Sequence, residues 1–362
     1  MSQIVAVAPA LPPHRYPQHE ITDAFADVVL PDGASRGMLD RLHRAAGVSS
    51  RHLALPLASY STLDGFAAAN DAFIRVGTDL AAQAVGSALA AVGLRPDEVD
   101  VLVSTTVTGV AAPSLDARLV PVLGLRPDVR RLPLFGLGCV AGAAGIARLH
   151  DLLQGDPDGV GVLVSVELCS LTVQRDDTSM ANLVGSGLFG DGAAAVVMLG
   201  GRRSSRLGLP GPHVLDSRSR MYPDTERVMG WDIGATGFRI VLSPDVPAVV
   251  EEHLGVDVTA FLDDHDLKIA DIDTWVAHPG GPKVLDAMER SLGLSPVALR
   301  RTWESLARIG NLSSSSVLHV LADTLAQRPA TGPTAPAPGP GSPGVLLAMG
   351  PGFCSELVLL RW

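Results

Sequence analysis

The chain has 362 residues, of which 47% are hydrophobic and 18% charged, so it has enough apolar material for a large core and for two or three domains. Its formal net charge of −10 excludes the broad basic face that nucleic-acid binding needs. An anionic substrate must therefore meet a local group of cations, because the overall field of the protein repels it.

The sequence carries no pattern typical of export or of membrane insertion. The apolar residues 1–10 are too short, and lack the basic lead-in, for a signal peptide. No uninterrupted apolar run reaches the about 18 residues of a membrane span. The three cysteines, Cys139, Cys169 and Cys354, lie far apart and form no C-x-x-C pair, which argues against disulfides and bound metals. We therefore expect a reduced cytoplasmic protein without a metal site.

Taken in chain order, Ala- and Leu-rich helical stretches alternate with short β-branched runs, which indicates an α/β fold. A helix is predicted over residues 71–94, because apolar side chains repeat on one face and Gly93 can end it. The predicted strands cover residues 99–106, 160–166, 193–199, 273–277, 345–348 and 357–360. The last two are expected to form a hairpin around the Gly-Pro-Gly turn at 350–352. The Pro- and Gly-rich segment 329–344 is predicted to be a surface loop.

The segments around Cys139 and Asn311 show a weak sequence similarity to each other. Near Cys139 an apolar run ends in glycine, and a helix start of small residues follows. Near Asn311 the pair Ile309-Gly310 precedes a serine-rich helix start. Two such strand-to-helix elbows suggest an internal duplication.

Cys139 is the candidate nucleophile. The glycines before it permit a sharp turn, and the small residues after it permit a closely packed helix. A thiol at a helix start lies at the positive end of the helix dipole, which lowers its pKa. The alternative is that Cys139 is a small buried apolar residue, as most free cysteines are. For Cys169 and Cys354, which lie in apolar surroundings, that alternative is the one we favour.

His278 and Asn311 have the chemistry to act with a cysteine. His278 ends a strand-like run before Pro-Gly-Gly-Pro, which puts it at the carboxyl end of a strand, where α/β enzymes build their sites. A histidine bonded to a backbone carbonyl is the alternative. Asn311 is either a helix N-cap or an amide donor to an oxyanion. Together with Cys139 they supply a nucleophile, a base and an oxyanion donor.

Five motifs are spread along the chain: GCVAG at 138–142, GLFGDGAA at 187–194, AHPGGP at 277–282, GNLSS at 310–314 and GPG at 350–352. With them the chain resembles the type III polyketide synthases of the chalcone-synthase kind, homodimeric members of the thiolase superfamily. The pair AHPGGP and LFGDGA separates this family from fatty-acid initiation synthases and from thiolases. The resemblance implies a layered αβαβα fold of two duplicated α/β halves, residues 1–210 with Cys139 and residues 211–362 with His278 and Asn311.

The resemblance also implies the roles of individual residues. Cys139 is the nucleophile, His278 the base that holds it as a thiolate, and Asn311 the partner donor. The implied substrates are an acyl-CoA starter and malonyl-CoA, or a substituted malonyl-CoA, and no metal or redox cofactor is needed. Phe189 falls at the gatekeeper position between CoA tunnel and cavity, and Phe238 matches the second aromatic position across a gap. Other positions of the cavity wall are Thr108, Gly109, Thr172, Gly230 and Ser313.

The anionic head of CoA calls for cations at the tunnel mouth. Arg41 falls at a CoA-contacting position of the family, and Arg44 and Arg51 are close to it in sequence. A second basic position of the family, near Ala45, is lost, and Lys283 could compensate for it. The alternative for each of these cations is a solvated surface charge.

Ala112 is the position that bears on the starter. The family often has a methionine before this proline, which reaches across the dimer interface into the partner's cavity. Alanine at 111 and 112 removes that bulk, and from this we predict a long aliphatic starter, as in bacterial alkylresorcinol and alkylpyrone synthases. The alternatives are a malonyl-primed tetrahydroxynaphthalene-type synthase, a fatty-acid initiation ketoacyl synthase that takes a carrier-protein substrate, and a non-catalytic protein of the same fold.

Overall fold

The computed structural model describes residues 1–30, 36–175, 177–326 and 338–362, and these residues form one large mixed sheet, two small antiparallel sheets and twelve α-helices. The strands are β1 Ser2–Ala10, β2 His14–Pro17, β3 Ser50–Leu53, β4 Val101–Thr106, β5 Arg130–Phe135, β6 Val160–Leu168, β7 Asp191–Leu199, β8 His213–Met221, β9 Met229–Gly234, β10 Gly237–Leu242, β11 Thr274–Ala277, β12 Pro343–Gly350 and β13 Cys354–Arg361. The helices are α1 Gln18–Val29, α2 Arg36–Ala45, α3 Leu57–Tyr60, α4 Gly65–Ala91, α5 Leu115–Leu123, α6 Ala141–Gln154, α7 Met180–Leu188, α8 Gly201–Leu207, α9 Val246–Asp263, α10 Pro282–Leu292, α11 Arg300–Ile309 and α12 Ser314–Leu325.

The large sheet has the strand order β11-β12-β13-β8-β1-β7-β6-β4-β5 and is covered by helices on both faces. In β12, Val345 and Leu347 pack with helices α9 and α10, whereas Leu346 and Ala348 point to the other face and pack with α6 and α12. Strand β6 divides its side chains in the same way between α4 on one face and α6 on the other. Helices α6 and α12 therefore form a central layer between two parts of the sheet, and the αβαβα arrangement is confirmed.

Most of the predicted elements are present with shifted ends. The predicted helix is α4, and the six predicted strands lie in β4, β6, β7, β11, β12 and β13. The hairpin is confirmed, because β12 and β13 pair antiparallel up to the Gly350 and Cys354 pair. Of the predicted loop, residues 329–337 lie outside the described residues, and Pro343 and Gly344 begin β12. No helix of the described ranges combines the length and apolarity of a bilayer span.

The predicted elbow at Asn311 is wrong. At the first elbow, β5 leads through a short 3-10 turn over Gly138–Val140 into α6, as expected. Asn311 instead follows helix α11, and α12 begins only at Ser314. Helix α12 is therefore not preceded by a regular strand as α6 is. The domain boundary predicted at residue 210 stays a prediction. Strands from both predicted halves belong to the same large sheet, in which β1 lies between β7 of the first half and β8 of the second.

Helices α6 and α12 cross at a glycine. A Cβ atom on Gly142 would lie 2.3 Å from the backbone oxygen of Ser314, so no larger residue fits at this crossing. Three residues later, Gly145 is packed as tightly against Leu163 of β6. This close approach brings the start of α6, with Cys139, next to the start of α12.

Candidate active site

Cys139 lies in the 3-10 turn before α6, held between two turns from the other half of the chain. Gly138 has a φ of +54°, and a Cβ there would lie 2.5 Å from the ring of Pro351. The GPG turn therefore packs directly on the backbone beside the thiol. The sulfur donates a 3.7 Å hydrogen bond to the hydroxyl of Ser313, a residue with the strained φ of +47°.

The electrostatics of Cys139 differ from the sequence-based expectation. We expected the helix dipole to lower the pKa of the thiol, but burial dominates and raises it to about 12. The hydrogen bond with Ser313 opposes this shift, whereas the negative charge of Glu167 adds to it. An isolated thiolate is therefore disfavoured, and ionisation of Cys139 requires a cation beside it.

His278 follows β11 as a buried imidazole. Its backbone N–H donates to the carbonyl of Leu347 at 2.9 Å, which continues the pairing of β11 with β12. Both ring nitrogens are buried without a hydrogen-bond partner among the described residues, which contradicts the alternative of a ring bonded to a carbonyl. Burial lowers the pKa of His278 to about 3. Such unpaired nitrogens indicate a binding role.

Asn311 is fixed by a β-bridge to the Phe189 segment. Its N–H donates to the carbonyl of Leu188, and its carbonyl accepts from the N–H of Gly190, both at 2.9 Å. Its Oδ1 accepts a 2.8 Å bond from the N–H of Ser313. The N-cap interpretation is wrong, because Ser313 occupies that position. With Oδ1 engaged, the Nδ2 group is the part of the amide that can donate to a ligand.

Cys139, His278 and Asn311 line one small cavity of about 20 Å³. Its other walls are mostly apolar side chains, from Leu188, Phe189, Met229, Leu242, Val246, Val284, Met288, Met349 and Phe353. Few groups there can solvate a charge, so charge on substrate must be met by these three residues. No cluster of the described residues has the ligands to hold a metal ion, and the absence of a cofactor stays a prediction.

Two further cavities of about 20 Å³ each lie beside Phe189. Cys139 lines the second cavity but not the third. The second cavity contains Cys139, Ser313, Gly230 and the indole of Trp231. The third shares Cys169, Phe189 and Trp231 with the second and adds Thr172 and Arg51. Phe189 lines all three cavities. Its role as a gatekeeper between the CoA tunnel and the cavity stays a prediction.

Three predicted cavity positions lie elsewhere. Thr108 is buried and donates a 2.9 Å bond to Glu167. Gly109 packs against Phe73 and faces a separate cleft of about 290 Å³. Phe238 is buried behind the cavities, in edge contact with the ring of Trp231 at 6.1 Å. Ala112 is exposed and lines neither cavity at Cys139, so its place in a partner's cavity stays a prediction.

Glu167 and Trp231 are two residues of the site that the sequence did not reveal. Glu167 is fully buried, and burial raises its pKa to about 7. It accepts hydrogen bonds from the N–H of Val107 and from the hydroxyls of Thr108 and Ser314, so it holds the residue next to Ser313. Neither residue belongs to one of the five motifs, and only the packing of distant segments brings them to the site.

The predicted CoA cations divide into exposed and buried ones. Arg41 on α2 and Lys283 on α10 are exposed. The segment just after α2 approaches the start of α10, since a Cβ on Gly47 would lie 3.4 Å from the ring of Pro282. Arg44 is also exposed. Arg51, which is close to Arg41 in sequence, is only 1% exposed and so does not lie with these cations at the surface.

Comparisons with known proteins cover both halves of the chain. The profiles "Chalcone and stilbene synthases, N-terminal domain" and "Chalcone and stilbene synthases, C-terminal domain" match residues 1–202 and 214–362. The chain is 55% identical to 1,3,6,8-tetrahydroxynaphthalene synthase of Streptomyces peucetius subsp. caesius, covering 100% of this chain and 93% of that protein. It is 32% identical to an alpha-pyrone synthesis polyketide synthase-like protein of Mycobacterium tuberculosis, covering 94% and 86%. The crystal structure of 1,3,6,8-tetrahydroxynaphthalene synthase from Streptomyces coelicolor A3(2) matches with a TM-score of 0.90 at 29% identity, over 99% of each chain.

Proposed function

Because this chain belongs to the chalcone and stilbene synthases, a family of type III polyketide synthases and thus of CoA-dependent acyltransferases, we propose that it uses malonyl-CoA as both starter and extender. The product class is a tetrahydroxynaphthalene. The convergence of Cys139, His278 and Asn311 on one cavity supports the chemistry. The 55% identity to a tetrahydroxynaphthalene synthase supports this product over the alkylresorcinol or alkylpyrone predicted from Ala112.

Loading is proposed to begin with proton transfer from Cys139 to His278. Burial disfavours a lone charge on either group, so the two ionise together as a thiolate and an imidazolium. The thiolate attacks the starter thioester, the carbon–sulfur bond to CoA breaks, and CoA leaves as a thiol with the proton of His278. The starter is then held as a thioester on Cys139.

Extension is proposed to use the same pair of donors on the malonyl thioester. His278 and Nδ2 of Asn311 donate to its carbonyl oxygen, which becomes an enolate oxygen as the carboxylate leaves as carbon dioxide. The enolate carbon attacks the acyl group on Cys139 and releases the sulfur. The apolar cavity walls exclude water, which would otherwise protonate the enolate. Return of the lengthened chain to Cys139 allows the next round.

The size of the space beside Cys139 favours a short starter. Both cavities that Cys139 lines hold about 20 Å³ each, which is room for little more than a water molecule. Phe189 and Trp231 bound this space, and a long alkyl chain would have to displace both rings. A malonyl starter is short, and each malonyl extender then adds only a two-carbon unit. Malonyl priming therefore requires less displacement of these rings than a long alkyl starter does.

The CoA contacts and the homodimer belong to the same proposal. Arg41 and Lys283, which are exposed on α2 and α10, are the proposed cations for the phosphates of CoA. A homodimer, as is usual for type III polyketide synthases, would cover the exposed apolar side chains of Val110 and Phe135 beside the cleft near Ala112.

The substrate assignment predicts that malonyl-CoA alone is sufficient. Purified protein incubated with malonyl-CoA as the only thioester should release carbon dioxide and form an aromatic product, identified by mass spectrometry. Free malonyl-CoA is sufficient because it is both starter and extender. A requirement for a carrier protein would favour the fatty-acid initiation alternative. A requirement for a long-chain acyl-CoA would favour the alkylpyrone or alkylresorcinol alternative.

The paired ionisation of Cys139 and His278 predicts a distinctive pH dependence of alkylation by iodoacetamide. With His278 present, the proton moves within the pair, and the inactivation rate should change little between about pH 6 and 9. In His278→Ala the thiol keeps its raised pKa of about 12, so the rate should rise about tenfold for each pH unit across that range. Rates measured by intact-protein mass spectrometry check this. Equal, steep profiles in both proteins would show that His278 does not share the proton of Cys139.

A further inference from the structure

Arg51 is a buried cation, and one of its guanidinium nitrogens has no hydrogen-bond partner among the residues that the structure describes. It is 1% exposed, its Nε donates to Gln18 Oε1 at 3.0 Å, and its Nη1 donates to the carbonyl of Phe189 at 2.5 Å. Its Nη2 is buried and has no hydrogen-bond partner. An unpaired guanidinium nitrogen away from water is costly, so its retention calls for an acceptor that is supplied from outside the chain.

No carboxylate of the described residues forms an ion pair with Arg51 within 4.0 Å. The acid that acts on it is Asp191, which favours the charged form of Arg51 from a distance. The oxygens of Asp191 are already engaged by the N–H of Ala54 and by the N–H and hydroxyl of Ser170. The positive charge of Arg51 is therefore balanced only in part, and its free nitrogen suits an anionic oxygen.

Arg51 lines the third cavity, which adjoins the second cavity, where Cys139 lies. The third cavity has polar walls from Ser170, Thr172, Asn182 and Ser186 in addition to Arg51. Its remaining walls include Cys169, Phe189 and Trp231, which also line the second cavity, where the sulfur of Cys139 lies. A chain that extends from Cys139 and displaces the shared side chains of Phe189 and Trp231 would reach the cavity that Arg51 lines.

We propose that Arg51 binds the carboxylate at the distal end of a malonyl-primed chain carried on Cys139. This inference rests on the proposed function, because each extension joins at the thioester and leaves the starter at the far end of the chain. A malonyl starter that keeps its carboxyl group presents two anionic oxygens there, which Nη2 can meet. An alkyl starter presents a methyl group and leaves the nitrogen unpaired. Arg51 would thereby select the starter.

Competitive loading of two starters tests this role without decarboxylation. Glutaryl-CoA and pentanoyl-CoA have acyl chains of equal length, and only the first carries a distal carboxylate. At equal concentrations, intact-protein mass spectrometry gives the ratio of glutaryl to pentanoyl groups on Cys139. Arg51→Met should lower that ratio at least tenfold relative to the wild type, whereas Arg51→Lys, which keeps the charge, should lower it less. An unchanged ratio, or a wild type that loads neither acyl group while turning over malonyl-CoA, contradicts the proposal.

A second pair of variants leaves Arg51 in place, because replacing a fully buried arginine can also disturb folding. Thr172→Asp puts a resident carboxylate on the wall of the same cavity, and Thr172→Asn puts a neutral side chain of the same shape there. The aspartate variant should show a glutaryl-to-pentanoyl ratio at least tenfold below that of the asparagine variant. Equal ratios would overturn the role of Arg51. Failure of the proposed function is a separate result, since the wild type would then form no product from malonyl-CoA.

Discussion

Replacement of Cys139 by alanine is expected to abolish polyketide formation, with a fall in kcat/KM of about 10⁴-fold or more. In the proposed mechanism the sulfur forms the covalent bond with the starter, and His278 and Asn311 serve as proton carrier and donors. The growing chain would have no attachment point between rounds of extension. Product formation from malonyl-CoA, followed by liquid chromatography with mass spectrometry, measures the loss.

Cys354→Ala is the matched control for this substitution. Cys354 is also a free cysteine near the GPG turn, but its sulfur donates to the carbonyl of Pro351 and it lines neither cavity at Cys139. Its alanine variant should keep activity within about threefold of the wild type. Activity that survives in Cys139→Ala and disappears in Cys354→Ala would reverse the assignment of the nucleophile.

Gly142→Ala is expected to destabilise the protein by about 3–5 kcal/mol, the range of a severe packing error. The added Cβ would meet the backbone oxygen of Ser314 at 2.3 Å, and a backbone atom cannot rotate away as a side chain can. Helices α6 and α12 would have to separate, although the rest of the core holds them together. Urea unfolding followed by circular dichroism gives the free energy of unfolding.

Gly86→Ala controls for the intrinsic effect of alanine in a helix. Gly86 lies within helix α4, and a Cβ there meets no atom within 4 Å. This substitution should stabilise the protein by about 0.5–1 kcal/mol, because alanine favours the helix. If Gly142→Ala were as stable as Gly86→Ala, the crossing of α6 and α12 would be looser than the structure indicates.

The sequence was sufficient for the parts of the site that lie in short motifs. Cys139, His278 and Asn311 each stand next to glycines or small residues that mark a turn, and the structure brings all three to one cavity. Six of the thirteen strands of the described residues were also predictable, because their apolar runs are nearly continuous. The elbow at Asn311 was misjudged, since an apolar run that ends in glycine is as typical of a helix end as of a strand end.

The parts that could not be predicted depend on burial and on distant contacts. The dipole argument for Cys139 is sound for an exposed helix start, but the enclosure of the sulfur outweighs it. Arg51 was grouped with Arg41 by sequence distance, although the pairing of β3 with β2 carries it into the interior. Trp231 lies on a two-stranded ribbon whose position over the site no local pattern encodes.

The anchoring of Phe189 limits how the passage beside Cys139 can open. Its N–H donates to the carbonyl of Gly185, its carbonyl accepts from Arg51, and the next residue, Gly190, is tied to Asn311. With the main chain fastened on both sides, a swinging loop is not available as a gate. On the side of Phe189, the space can therefore widen by rotation of the phenyl ring and not by displacement of the main chain. A gatekeeper role for Phe189 would then depend on the side-chain torsions of a single ring, while the backbone that carries it stays in place.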